Sequence, residues 1–385
     1  MTPVELAEEA LPTLAKHAAA VDRESAFPQD SVAALRSGGL MGLLVPTAFG
    51  GLGGGPADLV AVAQQLSSAC LSTALIWAMH CQQTAVLVRH ADSALAAALL
   101  PRIARGELYL GSITTEPGKG GHLLTGVAAL AEQDEMLAFQ RQAPVVTGGA
   151  YADGFLITMR ASEDARDNQL TLVYADRDQL VLTPRSSWDA MGMRGTASIG
   201  LDLAGSVPAA QAVGESGGFR TAAVETMAPY GHLGWAACWL GAASGALHAF
   251  VGLVRSSRAP SMDLQSDLVR ERLARIRMDL EVASAYLHRV CDEVTASWAA
   301  GRSLDNPVTQ IHLNTLKVVV AEHAFSAVNR LVQLAGMSLG YRKDAAIPLE
   351  RVFRDLRSAS LNYADDRLLV ATGALCMLDR NVTLA

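Results

Sequence analysis

The side chains best suited to chemistry are scattered along the chain and fall into no established nucleotide or metal motif. No G-x-x-x-x-G-K-[ST], G-x-G-x-x-G or H-E-x-x-H occurs, so neither a phosphate-cradling loop nor a zinc helix is written here. The nine histidines show no paired ligand spacing. His312 and His323 stand eleven apart with no third ligand, and no bound metal is expected. The five cysteines (Cys70, Cys81, Cys238, Cys291, Cys376) are odd in number and form no C-x-x-C. Reduced, mostly buried thiols are therefore expected rather than a disulfide framework.

The elements that must position any site fall into three stretches. Over 1–111 the pattern is helical. Asp30 is placed to cap a helix from Ser31, Gly38 and Gly39 interrupt, and Pro46 forces an extended break. Glycines at 50–55 precede a helix from Pro56. Ser72–Arg89 and Asp92–Arg105 are two more helical stretches. Over 112–212 the period changes. Phe155, Ile157 and Met159 alternate with Leu156, Thr158 and Arg160, and short apolar runs at 123–130, 136–141, 170–174, 180–182 and 199–203 are separated by turn residues. A small antiparallel barrel or sandwich is expected there.

Over 213–385 the chain is helical again. Leu233–Val254 holds no Asp, Glu, Lys or Arg over 22 positions, long enough to span a bilayer, but ten of those positions are Ala or Gly. A buried core helix is expected, with no membrane span. Val269, Leu273, Ile276, Leu280, Ala283, Leu287 and Val290 form one apolar seam; Leu313, Leu316, Val320, Ala324, Ala327, Leu331 and Leu334 form another. The fold class is thus mainly α with a central β-domain, ending in a four-helix bundle. The apolar surface exceeds what one small bundle hides, so a homodimer or homotetramer is expected.

Composition narrows the function. Of 385 residues, 50% are apolar and 18% charged, which excludes disorder. Net charge is −7, so a nucleic-acid partner is not expected. The acidic N-terminus lacks an apolar signal core, and a cytoplasmic protein is expected.

Three segments carry a joint signal. The first is Thr114-Thr115-Glu116-Pro117-Gly118-Lys119-Gly120-Gly121-His122. The second is Pro144-Val145-Val146-Thr147-Gly148-Gly149, followed by Met191-Gly192-Met193-Arg194-Gly195-Thr196. The third is Gln333-Leu334-Ala335-Gly336, then Pro348-Leu349-Glu350-Arg351-Val352-Phe353-Arg354-Asp355. In this order across an α–β–α layout, they resemble the acyl-CoA dehydrogenase superfamily over nearly the whole chain. The resemblance implies FAD between the β-domain and the C-terminal bundle. Thr114, Thr115 and Thr147 would meet the polar edges of the flavin ring and Val145 its face, where the family usually has Trp. Arg258, Gln333 and Gly336 would hold the dinucleotide's far end, partly toward a neighbouring subunit.

The departures bear on substrate. Gly121 and His122 stand where the family has Ser and Asp. Tyr363 stands where the family has its α-proton base, and Gly234 at the alternative position for that base. A phenol is a poor base at neutral pH. The substitute candidates are Asp366, Asp365 and then Glu225, with Tyr230, His232 and Tyr363 toward the substrate. The resemblance implies desaturation of an acyl thioester, carried on CoA or on a carrier protein of secondary metabolism, with an electron-transfer partner or oxygen as acceptor. Arg354-Asp355-Leu356-Arg357 followed by Leu361-Asn362 is also similar to flavin monooxygenases of the same fold. A third alternative is a flavin-binding protein without the usual base.

Overall fold

The computed structural model describes residues 1–118, 122–256 and 262–385. The chain opens with α1 (Pro3–Glu24), α2 (Gln29–Ser37), α3 (Pro56–Ala69), α4 (Leu71–His90) and α5 (Ser93–Ala104). Local signals start these helices. The Thr2 hydroxyl accepts the Glu5 amide at 3.3 Å while the Glu5 carboxylate accepts the Thr2 amide at 2.7 Å. Asp92 accepts the Leu95 amide at 2.8 Å and caps α5. Asp30 does not cap α2. The helix begins two residues before Ser31, behind Pro28, and Asp30 lies in its first turn, 3.3 Å from His17.

The middle of the chain forms two four-stranded sheets. Their strands are β1 (Leu110–Ile113), β2 (Ala131–Gln133), β3 (Met136–Val146), β4 (Gly154–Arg160), β5 (Leu170–Asp176), β6 (Leu180–Pro184), β7 (Ile199–Pro208) and β8 (Ala212–Val213). The sheet orders are β1-β4-β5-β8 and β2-β3-β7-β6. One pair departs from the antiparallel expectation: β1, arriving from the helical stretch, pairs parallel with β4. The run at 123–130 is not a strand; it makes one isolated parallel bridge, Ala129 with Arg160, and the ladder begins at Ala131. β4 is buried on both faces, because Phe155, Ile157 and Met159 join the main core while Leu156 packs with Leu95, Leu99 and Ile103 of α5. β3 is the strand that alternates in burial over most of its length.

The β3–β7 register slips between Ala143 and Val146, giving β3 one extra residue at Pro144-Val145. Proline cannot donate to the ladder, so the bulge falls there. It turns Val145 out, 42% exposed, beside the loop that follows β1.

The C-terminal part holds α6 (Phe219–Ala222), a π-helical turn over Ala223–Met227, α7 (Ala228–Val254), α8 (Asp267–Ala299), α9 (Pro307–Gly336), α10 (Leu349–Leu356) and α11 (Asp365–Cys376). α7 packs on α3 and α4 on one side and on α8 and α9 on the other, which accounts for its uncharged run. α7 and the turns before it are long and apolar enough to cross a membrane by length and composition. Cys70, Cys81, Cys238 and Cys291 are buried thiols. Met278 and Val282 on α8, and Leu369 and Val370 on α11, are apolar and exposed in the single chain.

One junction ties all three parts together. Arg354 on α10 reaches Asp22 of α1 at 2.7 Å and the Met191 carbonyl at 2.8 Å. Its neighbour Asp355, 4% exposed, accepts the Met193 amide at 2.5 Å. Burial pushes the Asp355 carboxyl up to about 7, despite that amide and Arg351. A raised folded pKa means that the folded protein holds a proton that the unfolded chain releases. Asp355 therefore contributes stability below about pH 4 that is lost as pH rises to about 7. Asp355→Asn keeps an acceptor for Met193 but cannot ionise. Its urea midpoint, compared with the parent between pH 5 and 8, should rise relative to the parent as pH rises, by at most about 1.4 kcal/mol per pH unit. Parallel pH profiles would contradict this.

Candidate active site

The β-side wall is built around a buried arginine. Arg141 of β3, 3% exposed, donates to the Thr115 carbonyl at 2.8 Å, to the Thr158 hydroxyl at 3.0 Å and to the Thr158 carbonyl. Burial pulls its pKa down to about 10, so it stays charged at neutral pH. Glu116, 4.0 Å away, balances it and accepts the Val127 and Ala128 amides at 2.8 Å each. The loop after β1 is thereby clamped, and Thr115 donates its hydroxyl to the Val145 carbonyl at 2.9 Å across the bulge. Thr147 shares a hydrogen bond with Ser198 at 3.1 Å, and Ser198 another with Thr196 at 2.8 Å.

Against this wall lies a cavity of about 360 Å³. Ser112, Thr114, Thr115, Val145 and Thr147 form one side. Met79 and Gln82 of α4, Met227, His232 and Trp235, and the segment Leu361–Ala364 with Arg367 form the other. Gln82 donates to the Met227 carbonyl at 2.7 Å, joining α4 to the π-helical turn. His232, 3% exposed, bonds through Nδ1 to the Leu313 carbonyl at 3.0 Å. A carbonyl only accepts, so Nδ1 carries the proton and Nε2 the lone pair. Burial pushes the His232 pKa down to about 4, and Lys317 adds to that. Tyr363 has φ +53°, and burial raises its phenol above the usual range. A second cavity, about 430 Å³, shares Leu123, Ala228, His232 and Tyr363 with the first.

The carboxylates proposed as bases are engaged elsewhere or turned away. Asp365 is 2.5 Å from the ammonium of Lys317, a fully buried lysine that also donates to the Ala359 carbonyl at 2.8 Å. Glu225 accepts the Leu304 amide at 3.0 Å, the Asp305 amide at 3.3 Å and the Ser303 hydroxyl, holding the turn before α9. Asp366 is exposed in the first turn of α11. Among the described residues lining the first cavity there is no Asp or Glu.

The remaining expected site residues are dispersed. Tyr230 lies on another face, stacked 5.1 Å from Trp298, with its phenol pushed up to about 12. His122 is exposed, as are Gln333 and Gly336 at the end of α9. Gly121 and Arg258 lie outside the described residues. Among the described residues no group of three or more His, Cys, Asp or Glu could hold a metal ion.

Sequence reasoning did not single out Gln82, Trp235, Asn314 or Arg367, and met Asn362 only through the monooxygenase-like segment. Gln82 and Asn314 had a signal: each is a carboxamide in an apolar helical run, where a buried polar group needs a partner or a ligand.

The residues present fit a flavin. Asn362 Nδ2 and Arg367 Nη1 are buried without a hydrogen-bond partner. A planar ring with carbonyl and ring-nitrogen acceptors and an anionic tail supplies what these donors lack, and the threonine wall faces it.

Comparison with known proteins adds the following. Residues 5–107 match a family profile described as "Acyl-CoA dehydrogenase, N-terminal domain", and residues 233–363 one described as "Acyl-CoA dehydrogenase, C-terminal domain". The chain is 27% identical over 352 residues to the probable acyl-CoA dehydrogenase YngJ of Bacillus subtilis, covering 89% of this chain and 88% of that one. The FMN-bound structure of TdsC, a dibenzothiophene monooxygenase from Paenibacillus sp. A11-2, has a TM-score of 0.88 at 20% identity, covering 98% of each chain. Butyryl-CoA dehydrogenase from Megasphaera elsdenii has a TM-score of 0.84 at 20% identity, covering 97% of each chain.

The Lys317–Asp365 pair holds the segment that closes the cavity, and this is testable by unfolding. Lys317→Met leaves a buried carboxylate unpaired and should cost about 3–5 kcal/mol. The double variant Lys317→Met/Asp365→Leu should recover much of that loss in urea midpoint. A double variant no more stable than the single one would contradict the pairing.

Proposed function

The chain belongs to the acyl-CoA dehydrogenase superfamily of flavin-dependent oxidoreductases, and on that premise we propose that it is a flavin-dependent monooxygenase acting on a small organic substrate. The observation that carries this reading is the cavity lining, where the described residues offer no carboxylate to take the α-proton of a thioester. That proton is weakly acidic and needs a base on the face opposite the flavin. His232 is a poor substitute. Protonating it creates a buried cation near Lys317, whereas a carboxylate would lose its charge. The reading also draws on TdsC, a protein of the same fold named for monooxygenation.

The bound flavin, FAD or FMN, supplies the two electrons with which one atom of O₂ enters the substrate while the other leaves as water. Thr114, Thr115 and Thr147 hold the ring against Val145. Asn362 and Arg367 take up its acceptors or anionic tail. His232 accepts a hydrogen bond from the substrate at Nε2, and Tyr363, which keeps its proton at neutral pH, donates one. Met79, Met227 and Trp235 keep water out. Reduced flavin comes from a separate reductase, and oxygen is the acceptor. The exposed apolar residues of α8 and α11 pair copies into a homo-oligomer, in which Gln333 and Gly336 face a second copy's cofactor. The buried free thiols suit a reducing cytoplasm.

The test has two arms. Flavin-loaded protein is titrated anaerobically with butyryl-CoA and with butyryl-N-acetylcysteamine, and its visible absorbance should not bleach. The same protein, supplied with NADH, a flavin reductase and ¹⁸O₂, should place one ¹⁸O atom into the probe indole. Bleaching by either thioester would restore the desaturase reading, and absence of ¹⁸O from indole would remove support from the oxygenase one.

A further inference from the structure

The second cavity lies between the π-helical turn, α9 and α11. Along α9, Asn306, Gln310 and Asn314 follow one another at intervals of four residues and line it. Two of these carboxamides are engaged. Asn306 accepts the Thr309 amide at 3.0 Å, and Gln310 donates to the Leu304 carbonyl at 3.0 Å. Asn314 is different. It is 8% exposed, and none of its side-chain atoms hydrogen-bonds to a described residue. The preceding residue, Leu313, fixes the His232 proton on Nδ1, so Nε2 carries a lone pair for which no hydrogen bond to a described residue exists, on a residue lining the same cavity.

These two groups, a neutral acceptor and a carboxamide, stand in otherwise apolar surroundings of Leu123, Val224, Leu368 and Leu375. The cavity's one ion pair among the described residues, Arg220 with Asp305, is mutually satisfied. The lining selects by chemistry. A carboxylate would face the lone pair of Nε2 and be repelled. An ammonium would be a buried cation with no free carboxylate to meet it. A thioester carbonyl has no proton to give Nε2. A hydroxyl satisfies both groups at once, since it donates and accepts.

We propose that this cavity is the substrate subsite, and that it takes a neutral, mainly apolar molecule bearing a hydroxyl group that donates to His232 Nε2 and accepts from Asn314 Nδ2. The proposal rests on the oxygenase reading of the adjoining cavity and extends it to the substrate. The volume of about 430 Å³ suits a molecule of one or a few rings.

Binding to flavin-loaded protein, without turnover, tests it. The probes are 2-naphthol and 2-methoxynaphthalene, compared by titration calorimetry and saturation-transfer NMR. The parent should bind 2-naphthol at least about tenfold more tightly than its methyl ether, because the ether leaves Nε2 unmet. His232→Leu should bring the two affinities close together, and Asn314→Leu should weaken both probes while keeping the preference, with bound flavin retained in each. Two variants on different helices guard against one that fails to fold. Equal affinities in the parent, a preference that survives His232→Leu, Asn314→Leu binding both probes as tightly as the parent, or no saturable binding of either probe would each overturn the proposal. Oxygen insertion into indole does not depend on a hydroxyl. If it persists while the naphthol preference is absent, the substrate class alone is wrong.

Discussion

A charge buried in protein must be paired, and the site is organised by that constraint. Lys317 is fully buried among the helices and needs an anion. It takes Asp365, and with the Ala359 carbonyl it draws in the segment that carries Leu361, Asn362 and Tyr363 to the cavity. Satisfying Lys317 removes the nearest carboxylate from chemistry. Arg141 does the same on the opposite wall, where it takes Glu116 and sets the Thr115 loop. Glu225 is spent on the turn before α9. What remains facing the cavity among the described residues is neutral: hydroxyls, a phenol, two carboxamides and an imidazole, with Arg367 the exception. The proposed chemistry follows from that neutrality.

Much of the architecture was legible before the structure. The two apolar seams become buried faces of α8 and α9 because a spacing of three and four residues leaves one side of a helix dry. The switch to period two marks the sheets, and the helical stretch expected from Asp92 is α5. The parallel β1–β4 pair was not legible. A four-residue strand carries no signal of direction, which its entry from α5 decides. The double burial of β4 was hidden for a similar reason, since Leu156 is covered by a helix distant in sequence.

The site was half legible. Thr115 and Thr147 were found because their segments are distinctive, and both line the cavity with Thr114 and Val145. The assignment of bases was limited by what sequence omits. Nothing near Asp365 reveals that Lys317, 48 positions earlier, will claim it. Nor does His232 announce that the Leu313 carbonyl will set its tautomer. Asn314 had a local signal, a carboxamide beside a leucine seam. Its significance appears only once the lack of a partner is seen.

The central claim is that a neutral imidazole with a free Nε2 stands beside the cavity in place of a carboxylate base. Nitrogen-15 NMR of histidine-labelled protein reads this directly, with the His232 signal identified by its loss in His232→Phe. The account predicts the Nδ1–H tautomer at pH 7 and an imidazole that stays neutral down to about pH 5, as a pKa of about 4 requires. An Nε2–H tautomer, or protonation with a midpoint near the ordinary histidine value, would contradict it.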